Sequence, residues 1–169
     1  MDSHSNLQVK LHDKTFKPFI EPDELRAIVS NLGEQINHDY EGKKPLFIGI
    51  LNGVFVFAAD LMRELCLDNE ISFVKLASYE GTHTTGTVRE LIGLGTSIKD
   101  RHVIILEDIV DTGNTLSQTL PGLLNMQPAS LEIATLLFKP DALQKDLKIK
   151  YVGREIPNKF IVGYGLDYD

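Results

Sequence analysis

Three stretches of the chain are apolar or β-branched almost throughout instead of alternating: Leu46 to Leu51 (LFIGIL), Val103 to Leu106, and Leu131 to Phe138 (LEIATLLF). Runs of that length read as strands covered on both faces, the usual state in a parallel sheet. Ile71 to Ser78 is a further strand candidate, and Tyr151 to Gly153 and Phe160 to Gly163 are shorter ones. Between them the period changes to 3.6. Pro22 and Asp23 open a helix with Leu25, Ile28, Val29, Leu32 and Ile36 on one face, a second helix runs from Gly53 to about Cys66, and Leu116 to Met126 puts Leu116, Leu120, Leu123 and Leu124 together. Residues 1 to 20 show only a short alternation (Leu7, Val9, Leu11), compatible with an edge strand or an irregular arm.

Strands alternating with helices predict an α/β fold with a mostly parallel sheet flanked by helices. Ligands in such sheets bind beyond the carboxyl ends of the strands. The polar positions fall there: Asn52 and Gly53, Ser78 and Tyr79, Glu107 to Thr115, and Lys139 each follow a predicted strand, so one shared cleft is expected. Tyr79 to Thr87 (YEGTHTTGT) is polar and rich in Gly and Thr, as a mobile lid would be.

The stretch from Val103 to Thr115, VIILEDIVDTGNT, carries the densest chemistry. Glu107, Asp108 and Asp111 repel one another unless a cation or hydroxyl donors lie among them, which suits polyol hydroxyls and a hydrated Mg²⁺. Asp111, Thr112, Gly113, Asn114 and Thr115 lie where backbone N–H groups at a helix start hold an anion, and the two threonine hydroxyls can add to them. A sugar phosphate satisfies both halves. An isolated D-T-G is more often a solvated loop with a helix cap, a reading that the full E-D-x-x-D-T-G-x-T weakens. Neither G-x-x-x-x-G-K-[ST] nor G-x-G-x-x-G occurs.

The length of 169 residues suits one domain spanning residues 1–169, and 43% hydrophobic content is ordinary for a globular protein. A formal net charge of -7 argues against a general nucleic-acid surface, which needs clustered Lys and Arg. Cys66 is the only cysteine, which excludes an intrachain disulfide and a Cys-based zinc cluster and fits a reducing cytoplasm. The N-terminal MDSHSNLQVK lacks the apolar core of a signal peptide, and no membrane span is expected. His83 and His102 have no partner in the pattern and are assigned no catalytic role.

LEDIVDTGNTL resembles the 5-phosphoribosyl 1-pyrophosphate (PRPP) signature of type I phosphoribosyltransferases. LNGVFVFAADL, ASYEGTHTTG, LLFK and KFIVGYGLDYD resemble the hypoxanthine-guanine branch of that family, from about Leu46 onward. The resemblance implies the type I fold, with a small hood formed by the terminal segments and a mobile lid loop. It also implies purine salvage: transfer of the phosphoribosyl group from PRPP to N9 of hypoxanthine or guanine, with Mg²⁺ as cofactor. Glu107 and Asp108 resemble the carboxylates that hold the ribose hydroxyls and Mg²⁺, Asp111 the general base facing purine N7, and Asp111 to Thr115 the 5-phosphate cradle. Leu51, Asn52 and Gly53 resemble the pyrophosphate loop, with a non-proline cis peptide expected between Asn52 and Gly53. Ser78 and Tyr79 resemble the start of the lid. Lys139 resembles the donor to purine O6, Phe160 the aromatic that stacks on the base, Ile161 the residue whose backbone reads the purine edge, and Asp167 an acid for a second Mg²⁺. A homodimer or homotetramer is implied as well.

The match has departures. Many relatives carry a basic residue in place of Asn52 and some a lysine in place of Asn114, which bears on the charge offered to pyrophosphate and phosphate. Relatives also continue past Asp169 to an arginine that contacts pyrophosphate; either the sequence is shortened or the contact comes from elsewhere. A non-catalytic PRPP-sensing regulator is the alternative on the same fold, disfavoured by the lack of spare length and of positive charge. An aspartyl-phosphate hydrolase needs acids two apart, whereas Asp108 and Asp111 are three apart.

Overall fold

The computed structural model describes residues 8–80 and 87–167, with the backbone alone over 77–80 and 87–92. The chain begins with a hairpin of β1 (Val9–Leu11) and β2 (Lys14–Phe16), followed by α1 (Pro22–Asp39), β3 (Leu46–Ile50), α2 (Phe55–Glu64), β4 (Glu70–Glu80) and β5 (Thr87–Ile92). It continues through β6 (His102–Val110), α3 (Asn114–Asn125), β7 (Ser130–Phe138) and β8 (Tyr151–Glu155). β1 and β2 form their own two-stranded sheet, separate from the six-stranded sheet of order β5-β4-β3-β6-β7-β8. In the large sheet β4, β3, β6, β7 and β8 are parallel, and β5 is antiparallel at the edge beside β4.

The central strands explain their own composition. All five residues of β3 are buried, because both faces of the sheet are covered. On one face Ile28, Val29, Leu32 and Ile36 of α1 and Phe57, Ala58 and Leu61 of α2 pack on Phe47, Ile104, Leu106 and Ala134. On the other, Leu116 and Leu123 of α3 pack on Leu46, Ile48, Val103, Ile105 and Ile133. Period-2 alternation along β3 and β6 deals successive side chains to the two layers.

Several sequence expectations shift. The strand expected over Val103–Leu106 runs on to Val110, so Glu107 and Asp108 lie within β6 instead of following it; Ile109 and Val110 still pair with Leu137 and Phe138. Phe160 to Gly163 is not a strand. That segment makes only an isolated bridge, Gly163↔Leu166, because Gly163, Tyr164 and Gly165 have φ of 100°, 53° and 81° and turn the chain. In α3 the buried face is Leu116, Thr119 and Leu123, whereas Leu124 is 55% exposed. Thr119 takes the inward position at i+3 from Leu116 and donates its hydroxyl to the Thr115 carbonyl at 2.8 Å. The segment expected as a lid begins on β4, where Ser78 and Tyr79 pair with Arg89 and Val88; its centre, residues 81–86, lies outside the described residues.

Candidate active site

β3, β6 and β7 end at a cleft of about 340 Å³. The pyrophosphate-loop candidates Leu51, Asn52 and Gly53 enter it from β3, Glu107, Asp108, Asp111 and Thr115 from β6 and the loop after it, Lys139 from β7, and Phe160, Ile161 and Asp167 from the C-terminal segment. The resemblance assigned all of these to one site, and the topology brings them together.

The first wall is the turn after β3. Leu51 N still donates to the Val74 carbonyl at 2.9 Å, so the ladder holds through Leu51 and the chain breaks away at the next bond. The non-proline cis peptide is accordingly at Leu51-Asn52, one bond earlier than expected at Asn52 and Gly53. Asn52 then accepts from Phe55 N at 3.3 Å as α2 opens. Gly53 lies directly against the Asp108 carboxylate: a Cβ there would fall 1.9 Å from Asp108 Oδ2, so this position admits only glycine without displacement.

The second wall is acidic. Asp108 Oδ1 accepts from Ile109 N at 2.8 Å. Burial raises the Asp108 pKa, the Ile109 bond opposes the rise, and the Asp167 charge adds to it. Glu107 is 6% exposed, and burial, with the adjacent Asp108 charge, holds its carboxyl well above the usual carboxylate range. Crowded, desolvated oxygen donors of this kind fit a hard cation such as Mg²⁺. Among the described residues no three or more His, Cys, Asp or Glu converge as a metal cage. Mg²⁺ is commonly held by one or two carboxylates together with water and substrate phosphates, so the donor set fits an ion that arrives with its substrate.

The third part is the loop into α3. Gly113 caps the helix at φ 81°, in the left-handed region, and its bare Cα faces Leu143 and Leu147, whose Cδ1 atoms would stand 3.0 and 2.7 Å from a Cβ. The Thr112 carbonyl accepts from Gln144 N at 3.1 Å, and Asn114 N donates to Thr112 Oγ1 at 3.4 Å. The 143–147 segment therefore backs the loop. Thr115 reaches the cleft itself, while Thr112, Gly113 and Asn114 form the loop behind it.

The fourth part holds Lys139 and Phe160, the purine-binding candidates. Lys139 N donates to the Val110 carbonyl at 2.9 Å, fixing the residue just past β7, and its Nζ lies 3.0 Å from Asp111 Oδ2. Phe160 is 47% exposed; its ring centroid is 6.0 Å from that of Phe16, and Lys14 Nζ lies 4.5 Å from it. The N-terminal hairpin thus meets the C-terminal segment at Phe160, at the rim of the cleft, as expected of a hood formed by the terminal segments. Lys14 and Phe16 carry no signal in the sequence, because the hairpin pattern is short and their partner Phe160 lies 144 or more positions away along the chain and is near only in the fold. A larger cavity of about 890 Å³ lies beside this cleft against α1 and α2, sharing Phe160, Ile161 and Leu166 but none of the acids of β6.

Known proteins agree with this geometry. The family model described as Phosphoribosyl transferase domain matches residues 21–169. A Staphylococcus aureus protein named hypoxanthine-guanine phosphoribosyltransferase is 40% identical over 159 residues, 94% of this chain and 89% of its own length. A Bacillus anthracis hypoxanthine-guanine phosphoribosyltransferase structure, with a HEPES molecule in its active site, superposes with a TM-score of 0.79 at 38% identity, covering 90% of this chain and 88% of that one. A Trypanosoma cruzi hypoxanthine phosphoribosyl transferase structure gives a TM-score of 0.80 at 32% identity over 95% of this chain and 88% of that one. Sequence and fold agree along nearly the whole chain, and the protein belongs to the phosphoribosyl transferase family.

Proposed function

We propose that the protein transfers the 5-phosphoribosyl group of PRPP to N9 of a 6-oxopurine, hypoxanthine or guanine, yielding the nucleoside 5′-monophosphate and pyrophosphate. The observation that carries this reading is that one cleft joins a phosphate-type loop, a desolvated acid pair and a buried lysine beside an exposed aromatic. Names of close relatives support the same activity, and they are enzymes instead of sensors.

The residues divide the work. The loop from Asp111 to Thr115 holds the 5-phosphate with amides and hydroxyls. Glu107 and Asp108 take the ribose hydroxyls and stabilise the cationic character that grows on the sugar as the C1–oxygen bond to pyrophosphate breaks and the N9–C1 bond forms. Glu107 and Asp108 for one ion and Asp167 for another are the residues that would hold Mg²⁺, which supplies charge neutralisation for the leaving pyrophosphate. Leu51, Asn52 and Gly53 line the pyrophosphate end, where Asn52 contributes dipoles and no charge. Lys139 donates to O6, which selects a carbonyl over the amino group of adenine, itself a donor. Asp111 accepts the purine proton at N7. Phe160 stacks on the base, and the backbone at Ile161 reads its edge. Ser78 and Tyr79 begin the lid that excludes water. The working form is a homodimer or homotetramer in the cytoplasm; no described helix is long and apolar enough to cross a membrane.

The test is direct. With Mg²⁺ and PRPP, hypoxanthine and guanine should yield nucleotide, followed by absorbance, and adenine should react poorly. Tight PRPP binding with no turnover on any oxopurine overturns the enzyme reading in favour of a PRPP sensor.

A further inference from the structure

Glu107 and Asp108 are consecutive residues of β6, and consecutive side chains of a regular strand point to opposite faces. Both nevertheless line one cleft. The pleat is interrupted here, and the interruption runs across three strands. β6 and β7 pair without a gap from His102↔Ser130 to Glu107↔Thr135 and resume at Ile109↔Leu137, omitting Asp108 and Leu136. β7 and β8 pair at Thr135↔Val152 and resume at Leu137↔Arg154, omitting Leu136 and Gly153. Asp108, Leu136 and Gly153 form one row where the ladder lapses although register is kept on both sides.

The packing records the same slip. Before the row, Leu106 and Ala134 face the α1–α2 layer and Ile105 and Ile133 the α3 layer. Strict alternation would then send Ile109 and Leu137 to the α3 layer and Val110 and Phe138 to the other. Instead Ile109 and Leu137 pack with α1 and α2, and Val110 and Phe138 with α3. Each strand has changed face by one residue, as β-bulges do when they re-aim a side chain beside an active site.

Two residues outside the cleft hold this geometry. Thr135, fully buried and in register with Glu107, donates Oγ1 to the Leu137 carbonyl at 2.8 Å, binding the residue beyond the row from within its own strand. Gly153 lets β8 approach: a Cβ there would fall 2.5 Å from the Leu136 carbonyl oxygen and 2.7 Å from Ile28 Cγ2.

We propose that this three-strand lapse is a positioning device that turns Glu107 and Asp108 into one site, with Thr135 and Gly153 as its positioning residues. The inference rests on the reading that the two acids serve PRPP. PRPP binding to the whole protein at fixed Mg²⁺ without purine, measured by calorimetry, should weaken by about tenfold in Thr135→Val and Gly153→Ala, since small displacements of a site cost that much or more. The hypoxanthine KM should stay within about twofold, and Thr135→Ser, which keeps the hydroxyl, should restore PRPP binding. If Thr135→Val lowers the melting temperature yet binds PRPP like the unaltered protein, the two residues are merely structural and the proposal is wrong. Thr135→Val is nearly isosteric and decides alone should Gly153→Ala not fold. Asp108→Asn is the control for the underlying reading: unchanged PRPP binding there removes the acids from the PRPP site and the proposal with them, whereas weakened binding there with unaffected Thr135→Val rejects the positioning role alone.

Discussion

Lys139 Nζ stands 3.0 Å from Asp111 Oδ2, with the lysine side chain 8% exposed and the aspartate 46%. The pair joins the end of β7 to the loop after β6, and it satisfies a buried ammonium that would otherwise be costly. A 6-oxopurine offers an acceptor at O6 and a nitrogen at N7 along one edge, so under the proposed roles an incoming base would replace each partner's contact with the other.

Removing the cation should therefore fall on the base. Lys139→Gln is expected to lower kcat/KM for hypoxanthine by about 10–100-fold, the worth of a hydrogen bond to a charged group, while PRPP binding is kept. An unchanged kcat/KM takes Lys139 out of O6 recognition.

Asp111→Asn keeps shape and removes the proton acceptor. Turnover should fall by about 10²–10⁴-fold, the usual weight of a general base, with PRPP affinity largely kept; a pre-steady-state assay at saturating PRPP separates the two. Full turnover in this variant means that another group takes the proton.

Glu107 gives a pH signature in stability. Its folded pKa lies well above the ordinary carboxylate value, so the folded state holds its proton where the unfolded chain has lost it. Stability of the ligand-free protein from this group is thus fully present below the unfolded pKa and is lost as pH rises through the folded one. Glu107→Gln should abolish that slope and raise stability at neutral pH by about 1 kcal/mol or more, or ~2–4 °C in Tm per kcal/mol, while PRPP turnover collapses. Melting curves between acid and neutral pH, with and without Mg²⁺ and PRPP, check both parts.

Gly53 and Gly113 lie at two ends of the proposed PRPP site, each in a close approach that a Cβ would disturb. Gly53→Ala drives a methyl into the Asp108 carboxylate, and Gly113→Ala adds about 1–2 kcal/mol of left-handed strain and a collision with Leu147. Each should raise the PRPP KM by about tenfold or more, with a smaller change for hypoxanthine. Equal effects on both substrates would point to general unfolding instead.

Tyr151→Phe is the counterpart with no functional cost. Tyr151 donates to Asp39 Oδ2 at 2.7 Å, on the edge of the sheet away from the cleft, and Lys150 approaches the same oxygen at 3.2 Å. The Tyr151 bond, then Lys150, hold the Asp39 carboxyl below its usual value. Its contribution is present above the unfolded pKa and lost as pH falls through the folded one, so the variant should lose about 1 kcal/mol near neutrality and less in acid, with unchanged kinetics.

Much of this was legible in the chain because it depends on near neighbours. The buried runs at Leu46 and Val103, the helix from Pro22 and the strand–loop–helix around Asp111 follow from local period and from residues a few positions apart. The order of those elements is enough to place Gly53, Asp111 and Lys139 just past strand ends on one side of a parallel sheet. Phe160 reads as part of a strand from its apolar neighbours, whereas in the structure the positive φ angles of Gly163, Tyr164 and Gly165 win over that pattern and turn the chain.

What the sequence alone determined was the fold class and the roster of polar groups, because periodicity and strand-end chemistry are written locally. What only the tertiary structure decided was aim: that β6 runs through its own acids, that a lapse shared with Leu136 and Gly153 turns Glu107 and Asp108 into the same cleft, and that Phe16 and Lys14 meet Phe160. Those depend on backbone spacing between strands far apart in the chain, and no local pattern of side chains records such a distance.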